Sequence, residues 1–256
     1  MIAEPEISVA APNPFGLAGK TILITGASSG IGRQIAISCA LAGANLVVSG
    51  RNTDRLAALL AELRDPAHRM VAGDLLDDSI IKDMVVRIGK IDGVVHSAGI
   101  AALAPLRLAS RSHVEGQMAT NFVAPMLLTQ QLLLRNAVTD GGSIVFVSSI
   151  SAHIGVQGVS AYSASKAALE AMARSLAMEV AKKRIRVNCL APGLVETPML
   201  AAARATTGGL EAILAQYPLG IGQPDDVANA AVFFLSGASR WITGTTLILD
   251  GGHTVG

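Results

Sequence analysis

Short apolar runs alternate with longer segments of helical periodicity along most of the chain. An apolar run of four to eight residues between turn residues is typical of a buried strand, and apolar residues three or four apart indicate an amphipathic helix. The pattern predicts seven strands, at residues 20–25, 45–50, 68–73, 91–97, 142–149, 185–191 and 245–252. It predicts helices at residues 30–43, 53–63, 78–88, 112–135 and 225–235, and one that begins near Tyr162.

This alternation predicts the architecture of the chain. Strands joined by helices form right-handed βαβ crossovers and a parallel sheet. We therefore expect an α/β fold: a single doubly wound Rossmann-type domain, with helices on both faces of a seven-stranded parallel sheet. No linker or repeat interrupts residues 17–256, whereas residues 1–16 contain three prolines and predict a flexible N-terminal tail.

Composition and charge narrow the possible partners. The chain is 51% hydrophobic and 15% charged, with a net charge of +1, so no basic excess favours nucleic acid or an anionic membrane. It contains no run of about 20 apolar residues and no secretory signal. Cys39 and Cys189 lie in apolar segments, which is typical of core thiols in a reducing compartment, and no spacing suggests a metal site. We expect a cytoplasmic protein without a metal.

A glycine-rich segment, TGASSGIG at residues 25–32, connects the first predicted strand to the first helix. Glycines let the backbone approach a phosphate, and the N-terminus of the helix offers unpaired N–H groups. Gly26, Gly30 and Gly32 are spaced G-x-x-x-G-x-G, which differs from the common G-x-G-x-x-G dinucleotide spacing. The segment predicts a phosphate site, and a tight turn without a ligand is the alternative.

The end of the second strand bears on which dinucleotide would bind. A carboxylate there would bind the adenosine ribose and repel a 2′-phosphate, but the strand ends in Gly50 and Arg51. Because a guanidinium pairs well with phosphate, we expect NADP(H) to be favoured over NAD(H). Two observations leave the alternative open: Arg51 has Asp54 nearby as a possible partner, and the glycine-rich turn has Ser29 where a second basic residue would help.

Several motifs, taken in order, resemble the short-chain dehydrogenase/reductase family, and they cover nearly the whole chain from about Leu17. The motifs are TGASSGIG at 25–32, GDL with Asp74, HSAG at 96–99, Asn121, SSIS at 148–151, YSASK at 162–166 and APGLVETPM at 191–199. His96 departs from the family pattern, which commonly has an asparagine that braces the sheet. We interpret His96 as a buried histidine whose hydrogen bonds are satisfied.

The resemblance implies a catalytic set. Tyr162 would protonate the carbonyl oxygen, and Ser149 would donate a hydrogen bond to the same oxygen. Lys166 would bind the nicotinamide ribose and lower the pKa of Tyr162, and Asn121 would hold a water of a proton relay. The implied cofactor-binding residues are Gly26, Ser28, Ser29, Gly30, Ile31, Gly32, Arg51, Asp74, Leu75, Ala98, Gly99, Tyr162, Lys166, Pro192, Gly193, Val195 and Thr197.

The spacing of the tyrosine and the lysine agrees with these roles. Tyr162 and Lys166 are four residues apart and therefore share one face of a helix. Lowering the pKa of a tyrosine by about three units needs roughly 4 kcal/mol, which a nearby lysine and an oxidised nicotinamide can supply. Ser148 and Ser149 are neighbours, so only one of them should face the cleft. An ordinary helix surface is the alternative.

The sequence predicts the type of reaction more closely than it predicts the substrate. Residues 194–222 correspond to the lid of the family. They are rich in apolar side chains, namely Leu194, Met199, Leu200, Leu210, Ile213 and Leu214. This composition favours a largely apolar ketone or alcohol as the substrate. Gly208 and Gly209 are a possible hinge. The 3-oxoacyl-carrier-protein reductases are similar in style, so a 3-oxoacyl thioester is a candidate, with Lys182 and Lys183 as basic residues beside the site. Sugar, steroid and polyol substrates stay open.

Three functions are therefore compared. The first is an NADPH-dependent reductase of a small-molecule carbonyl. The second is an NAD-dependent alcohol dehydrogenase working oxidatively, and the third is a non-catalytic dinucleotide-binding regulator, although such relatives usually lose the tyrosine or the lysine.

His153 is either an edge of the substrate pocket or an exposed loop residue. By resemblance we expect a homotetramer, or a homodimer, with interfaces on residues 112–135, residues 162–182 and the last strand.

Overall fold

The computed structural model describes residues 13–206 and 213–255, and seven parallel strands form one sheet within them. The strands are β1 (Thr21–Thr25), β2 (Asn45–Ser49), β3 (Arg69–Met70), β4 (Ile91–His96), β5 (Val138–Val147), β6 (Arg186–Pro192) and β7 (Thr246–Leu249). Their order across the sheet is β3-β2-β1-β4-β5-β6-β7. The chain reverses direction across the sheet between β1 and β4, which opens a cleft at the carboxyl ends of these strands. The predicted α/β fold is confirmed.

Helices cover both faces of this sheet. They are α1 (Gly30–Leu41), α2 (Thr53–Leu63), α3 (Asp78–Ile88), α4 (Arg111–Met118), α5 (Ala124–Leu134), α6 (Ser160–Val180), α7 (Pro198–Thr206) and α8 (Pro224–Leu235). Successive side chains of a strand face opposite sides. In β1, Ile22 and Ile24 pack in one core with α1, α2 and α8, whereas Leu23 packs in the other with α3, α5 and α6. The described helices include none that is long and apolar enough to cross a membrane.

The element boundaries differ from the predictions at several places. The last strand ends at Leu249 instead of residue 252, and the helix predicted at residues 112–135 is divided into α4, a π-helical turn and α5. The third strand has only two residues instead of residues 68–73, because it lies at the sheet edge, where both side chains are exposed and only β2 pairs with it. The fifth strand begins at Val138, earlier than predicted, and its pairing with β4 shifts register between Val138 and Ser143. It ends at Val147, so Ser148 and Ser149 lie just beyond the carboxyl end of the sheet.

The N-terminal segment is attached to the domain where the structure describes it. The Phe15 ring lies 6.3 Å from that of Phe233 on α8, and the carbonyl of Pro14 accepts a hydrogen bond from Ala238 N at 2.9 Å. Leu17 is fully buried. The part of the predicted tail before residue 13 lies outside the described residues.

The two cysteines are buried free thiols, as predicted. Burial raises the pKa of both Cys39 and Cys189 to about 12, because an apolar environment disfavours the thiolate. Neither thiol is therefore a nucleophile at neutral pH.

His96 lies at the end of β4, in the middle of the sheet, where it stacks on Phe146 at 4.8 Å between ring centres. Its Nε2 lies 2.9 Å from Thr129 Oγ1, and that hydroxyl donates its proton to Pro125 O. The hydroxyl must therefore accept from the ring, which places the histidine proton on Nε2. Nδ1 is buried and has no hydrogen-bond partner among the described residues, so the expectation of a satisfied histidine holds for only one ring nitrogen.

This environment makes the stability of the protein depend on pH. Burial lowers the pKa of His96 from 6.5 to about 3. As the pH falls below 6.5, His96 becomes protonated in the unfolded chain. In the folded protein it stays neutral until about pH 3. The free energy of unfolding should therefore fall by about 1.4 kcal/mol per pH unit within that window from this residue alone.

We predict that His96→Asn removes this contribution. The variant should be less sensitive than the wild type to acidification from pH 6.5 to pH 5, by about one proton taken up on unfolding. Denaturant titrations at a series of pH values measure the slope, and equal denaturant dependence in both proteins controls for a changed native state. Parallel pH profiles of the two proteins would contradict the prediction.

Candidate active site

A cavity of about 580 Å³ opens at the carboxyl end of the sheet. Its size is typical of a site for a small molecule. All of the predicted cofactor-binding residues line it, together with Ser149. Asn121 is the one predicted site residue that does not. The lining residues that the sequence analysis missed include Leu103, Val156, Val159 and Tyr217.

The glycine-rich turn is packed too tightly for side chains at two positions. Gly26 has φ +68°, and a Cβ atom on it would lie 2.7 Å from Ala98 N. A Cβ atom on Gly32 would lie 2.4 Å from Gly26 O. The first turn of α1 thus lies directly against the preceding loop, and only glycine permits this contact.

The N-terminus of α1 has donors that suit a phosphate. Ser29 is the N-cap residue in an extended conformation, and its side chain makes no capping hydrogen bond. The first N–H groups of a helix have no acceptor within the helix, and here the usual side-chain acceptor is not used. The turn, the helix dipole and these donors together fit the pyrophosphate of a dinucleotide.

Arg51 follows β2 and lines the same cavity. It is exposed, and it forms no ion pair with Asp54 or with any other acid in the part of the chain that the structure describes. The alternative in which Arg51 is occupied by Asp54 is therefore not observed. The guanidinium is available to a ligand at this end of the cavity.

Ser149 and Tyr162 meet at the opposite end of the cavity. Tyr162 lies in the first turn of α6, with its side chain near that of Ser149. Burial raises the pKa of Tyr162, and the interaction with the Ser149 side chain only partly opposes this effect. The expected lowering of the tyrosine pKa is therefore not present in the protein alone.

The position of Lys166 explains this result. Its Nζ lies 5.6 Å from the centre of the Tyr162 ring and donates a hydrogen bond to Val147 O at 2.8 Å. Burial lowers the pKa of Lys166 to about 8, so the ammonium form still predominates at neutral pH. The cation is near the phenol but is held by the end of β5.

Asn121 lies behind the cavity wall. It lies in a π-helical turn, Ala119–Val123, between α4 and α5. Its amide accepts from Ile100 N at 2.8 Å and donates to Ile100 O at 2.9 Å and to Ser165 Oγ at 3.0 Å. A Cβ atom on Gly99 would lie 3.1 Å from Asn121 Oδ1 and 3.4 Å from Lys166 Nζ, so Asn121 lies behind Gly99, close to the lysine.

The two serines after β5 face different environments, as the alternation predicts. Ser148 Oγ donates to Glu170 Oε1 at 2.6 Å, whereas Ser149 Oγ accepts from Ser151 N at 3.2 Å. His153 does not line the cavity; it is an exposed turn residue, as the second alternative expected, and its Nε2 lies 3.0 Å from the same Glu170 oxygen. The sequence analysis missed Glu170, although it lies four residues after Lys166.

The segment after β6 forms the remaining wall. The hydroxyl of Tyr217 accepts a hydrogen bond from Leu194 N at 3.0 Å, and its ring stacks on His253 at 4.4 Å. A Cβ atom on Gly193 would lie 2.8 Å from the Tyr217 ring. This tyrosine thereby fixes the main chain of the predicted nicotinamide-binding segment. Of the predicted lid residues, Gly208, Gly209 and Leu210 lie outside the described residues.

The predicted contribution of Lys182 and Lys183 is wrong. These lysines lie in a short 3₁₀ helix, Ala181–Lys183, directly after α6. Tyr162 is in the first turn of α6. At a rise of 1.5 Å per residue, the two ends of α6 are about 30 Å apart. The lysines therefore lie at the far end of α6 from the cavity.

Comparison with known proteins agrees with this geometry. A family model described as enoyl-(acyl carrier protein) reductase matches residues 26–254. The 3-oxoacyl-(acyl-carrier-protein) reductase FabG of Rickettsia bellii is 35% identical over 237 residues, 92% of this chain and 97% of the relative. The D-threitol dehydrogenase of Mycolicibacterium smegmatis is 35% identical over 248 residues, 94% of this chain and 95% of the relative.

A solved structure has the same fold. The gluconate 5-dehydrogenase from Burkholderia cenocepacia, in complex with NADP and tartrate, superposes with a TM-score of 0.88 at 30% identity, covering 95% of this chain and 98% of the other. The chain belongs to the short-chain dehydrogenase/reductase family. It is an oxidoreductase of that family, which acts on CH–OH or C=O groups with a nicotinamide cofactor.

The packing of the glycine-rich turn leads to a prediction about cofactor binding. Gly32→Ala places a methyl group against Gly26 O and should displace the turn from the phosphates. Overpacking of this kind costs about 1–3 kcal/mol, so the affinity for NADPH should fall by roughly tenfold to a hundredfold. Calorimetric titration of the purified variant with NADPH measures this loss.

Gly116→Ala on α4 is the matched control, because a Cβ atom there has no neighbour within 4 Å. The control should bind NADPH like the wild type. Unchanged binding by Gly32→Ala would show that the turn does not hold the phosphates.

Proposed function

We propose that the protein is an NADP(H)-dependent oxidoreductase that transfers hydride between the nicotinamide and a ketone or secondary alcohol of largely apolar character. One observation carries this proposal: Ser149, Tyr162 and Lys166 line the same cavity as the glycine-rich turn and the exposed Arg51. A phosphate site and a proton donor at opposite ends of one cleft are what a nicotinamide-dependent reduction requires.

In the direction of reduction, the hydroxyl of Tyr162 donates its proton to the carbonyl oxygen of the substrate. Ser149 donates a hydrogen bond to the same oxygen and orients it. The ammonium group of Lys166 stabilises the phenolate that Tyr162 becomes, and Asn121 would hold the water through which the proton is replaced. Bound NADP(H) supplies or accepts the hydride, and oxidation of an alcohol reverses each proton transfer.

The cofactor preference rests on Arg51. A guanidinium that is exposed and unpaired among the described residues suits the 2′-phosphate of NADP(H), and the absence of a carboxylate after β2 removes the usual ribose ligand of NAD(H). The NADP complex of the gluconate 5-dehydrogenase supports the proposal by similarity.

The substrate class rests on the other wall of the cavity. The side chains around Ser149 and Tyr162 are mostly apolar, and they include Leu103, Val156, Val159, Leu194, Met199 and Leu200. Within the described part of the chain, Arg51, Asp74 and Lys166 are the only charged residues that line the cavity, and all three are assigned to the cofactor. A charged sugar acid would lack a partner there, whereas a 3-oxoacyl thioester or another apolar ketone fits.

We further propose that the protein works in the cytoplasm as a homotetramer or homodimer. The exposed apolar side chains of Trp241, Ile248 and Val255, on and beside the edge strand β7, support an interface at the predicted C-terminal strand.

Replacement of the tyrosine tests the mechanism. Tyr162→Phe keeps the ring and removes the proton donor, so kcat/KM for NADPH-dependent reduction of a ketone panel that includes an acetoacetyl thioester should fall by about 10²–10⁴-fold. The affinity for NADPH, followed by its fluorescence, should change far less than kcat/KM, because the variant removes only one hydroxyl from the cofactor site. Retained turnover in the variant would reject Tyr162 as the proton donor.

The same panel, run with alcohols and NAD, distinguishes the alternatives. Faster oxidation with NAD than reduction with NADPH would favour the alcohol dehydrogenase. Cofactor binding by the wild type without turnover of any ketone or alcohol would favour a regulator.

Replacement of the arginine tests the cofactor preference. Arg51→Ala removes a charge-assisted hydrogen bond to the 2′-phosphate, and KM for NADPH should rise by about tenfold while KM for NADH stays the same. Arg51→Asp should additionally repel the phosphate and make NADH the preferred cofactor. Arg55→Ala, on the exposed surface of α2 and outside the cavity, is the control. Equal losses with both cofactors would contradict the assignment.

A further inference from the structure

A buried carboxylate lies behind the cavity, on the helix that carries the predicted catalytic residues. Glu170 is only 5% exposed and does not line the cavity, so it cannot touch the substrate. It follows Tyr162 by eight residues and Lys166 by four, which places all three on the same side of α6. A carboxylate is costly to bury unless hydrogen bonds compensate for its lost hydration.

Two hydrogen bonds meet at one oxygen of this carboxylate. Ser148 Oγ donates to Glu170 Oε1 at 2.6 Å, and His153 Nε2 lies 3.0 Å from the same atom. Ser148 Oγ also lies 3.3 Å from the main-chain oxygen of Lys166. The carboxylate therefore connects α6 to two points of the chain segment that follows β5.

These two points enclose Ser149. Ser148 precedes it, and His153 follows the 3₁₀ turn Ile150–Ala152, whose Ser151 N–H donates to Ser149 Oγ at 3.2 Å. Both ends of the loop that presents the Ser149 hydroxyl are thus bonded to the same carboxylate. Tyr162, which lines the same cavity as Ser149, lies on the helix that provides this carboxylate.

We propose that Glu170 is a positioning residue for the reaction. By holding both ends of the Ser149 loop, it sets the distance between the Ser149 hydroxyl and the Tyr162 phenol. This inference rests on the roles proposed above for Ser149 and Tyr162. Because Glu170 does not contact the cavity, its loss should slow the chemical step and leave the binding of cofactor and substrate nearly unchanged.

The test compares Glu170→Ala with Glu170→Gln at pH 7. A misplacement of about 1 Å can cost a hundredfold in rate, so Glu170→Ala should lower the single-turnover rate of NADPH oxidation by about 10–100-fold. The KM for the ketone and the dissociation constant for NADPH should stay within about twofold. The amide oxygen of Glu170→Gln still accepts from Ser148 and His153, and this variant should recover most of the rate.

Glu179→Ala, an exposed change on the same helix, is the matched control and should react like the wild type. Ser148→Ala and His153→Ala each remove one of the two hydrogen bonds and should slow the reaction by a smaller factor. Ser148→Ala combined with Glu170→Ala should be no slower than Glu170→Ala alone, because the two residues act through one bond. If Glu170→Ala does not fold, the two milder variants decide the question.

Two results would overturn the inference. One is a Glu170→Ala protein, or a Ser148→Ala and His153→Ala pair, whose rate stays within twofold of the wild type. The other is a loss of rate that Glu170→Gln does not recover. Tyr162→Phe distinguishes failure of the positioning role from failure of the proposed function. Retained turnover in Tyr162→Phe would reject both the proposed function and the positioning role. An inactive Tyr162→Phe together with a fast Glu170→Ala would reject only the positioning role of Glu170.

Discussion

The packing of α6 against the carboxyl end of β5 is the contact on which the geometry of the site depends. Lys166 donates to Val147 O, at the last residue of the strand, and Ser148 donates to Glu170 one turn further along the helix. A helix repeats every 3.6 residues, so positions 162, 166 and 170 face the strand end together. The proton donor, the cation and the buried carboxylate therefore have fixed positions relative to the serine loop.

This contact also affects how Tyr162 and Lys166 can act together in proton transfer. In the protein alone, the cation of Lys166 is held by a main-chain oxygen, and burial raises the pKa of Tyr162. An acid with a raised pKa is fully protonated at neutral pH, as reduction requires, but it is a weaker donor than one whose pKa lies near the operating pH. For oxidation the phenolate is needed, and the positive charge of an oxidised nicotinamide would then have to provide the stabilisation. The same residues can therefore favour either direction according to the state of the cofactor.

The sequence predicts those features of the site that depend on local periodicity. Strand and helix alternation is sufficient for the sheet, and spacing is sufficient for Tyr162, Lys166 and the opposite orientations of Ser148 and Ser149. Other features depend on contacts between distant segments, which no local pattern contains. Glu170 is bonded to Ser148 and His153, which precede it by 22 and 17 residues, and Tyr217 is bonded to Leu194, 23 residues before it.

Asn121 is a second example of a residue whose position could not be predicted from a local pattern. Motif comparison assigns it a role, but its position depends on a π-helical turn that a hydrophobic pattern with a 3.6-residue period does not reveal. From that turn its amide bonds to Ile100 N and to Ser165 Oγ. The short β3 has a related cause, because the length of an edge strand depends on a single neighbour.

The buried polar atoms that lack a hydrogen-bond partner show where the fold departs from ideal packing. Among the described residues these are Ser49 Oγ, His96 Nδ1, Ser151 Oγ and Arg204 Nε. The first two belong to the last residues of β2 and β4, and Ser151 follows β5, so three of the four lie along the carboxyl edge of the sheet. Each such atom costs about 1–3 kcal/mol. Other buried polar side chains, such as Arg186 and Asn188, are hydrogen-bonded, so this cost is concentrated beside the cavity, which is where a protein is expected to give up stability for function.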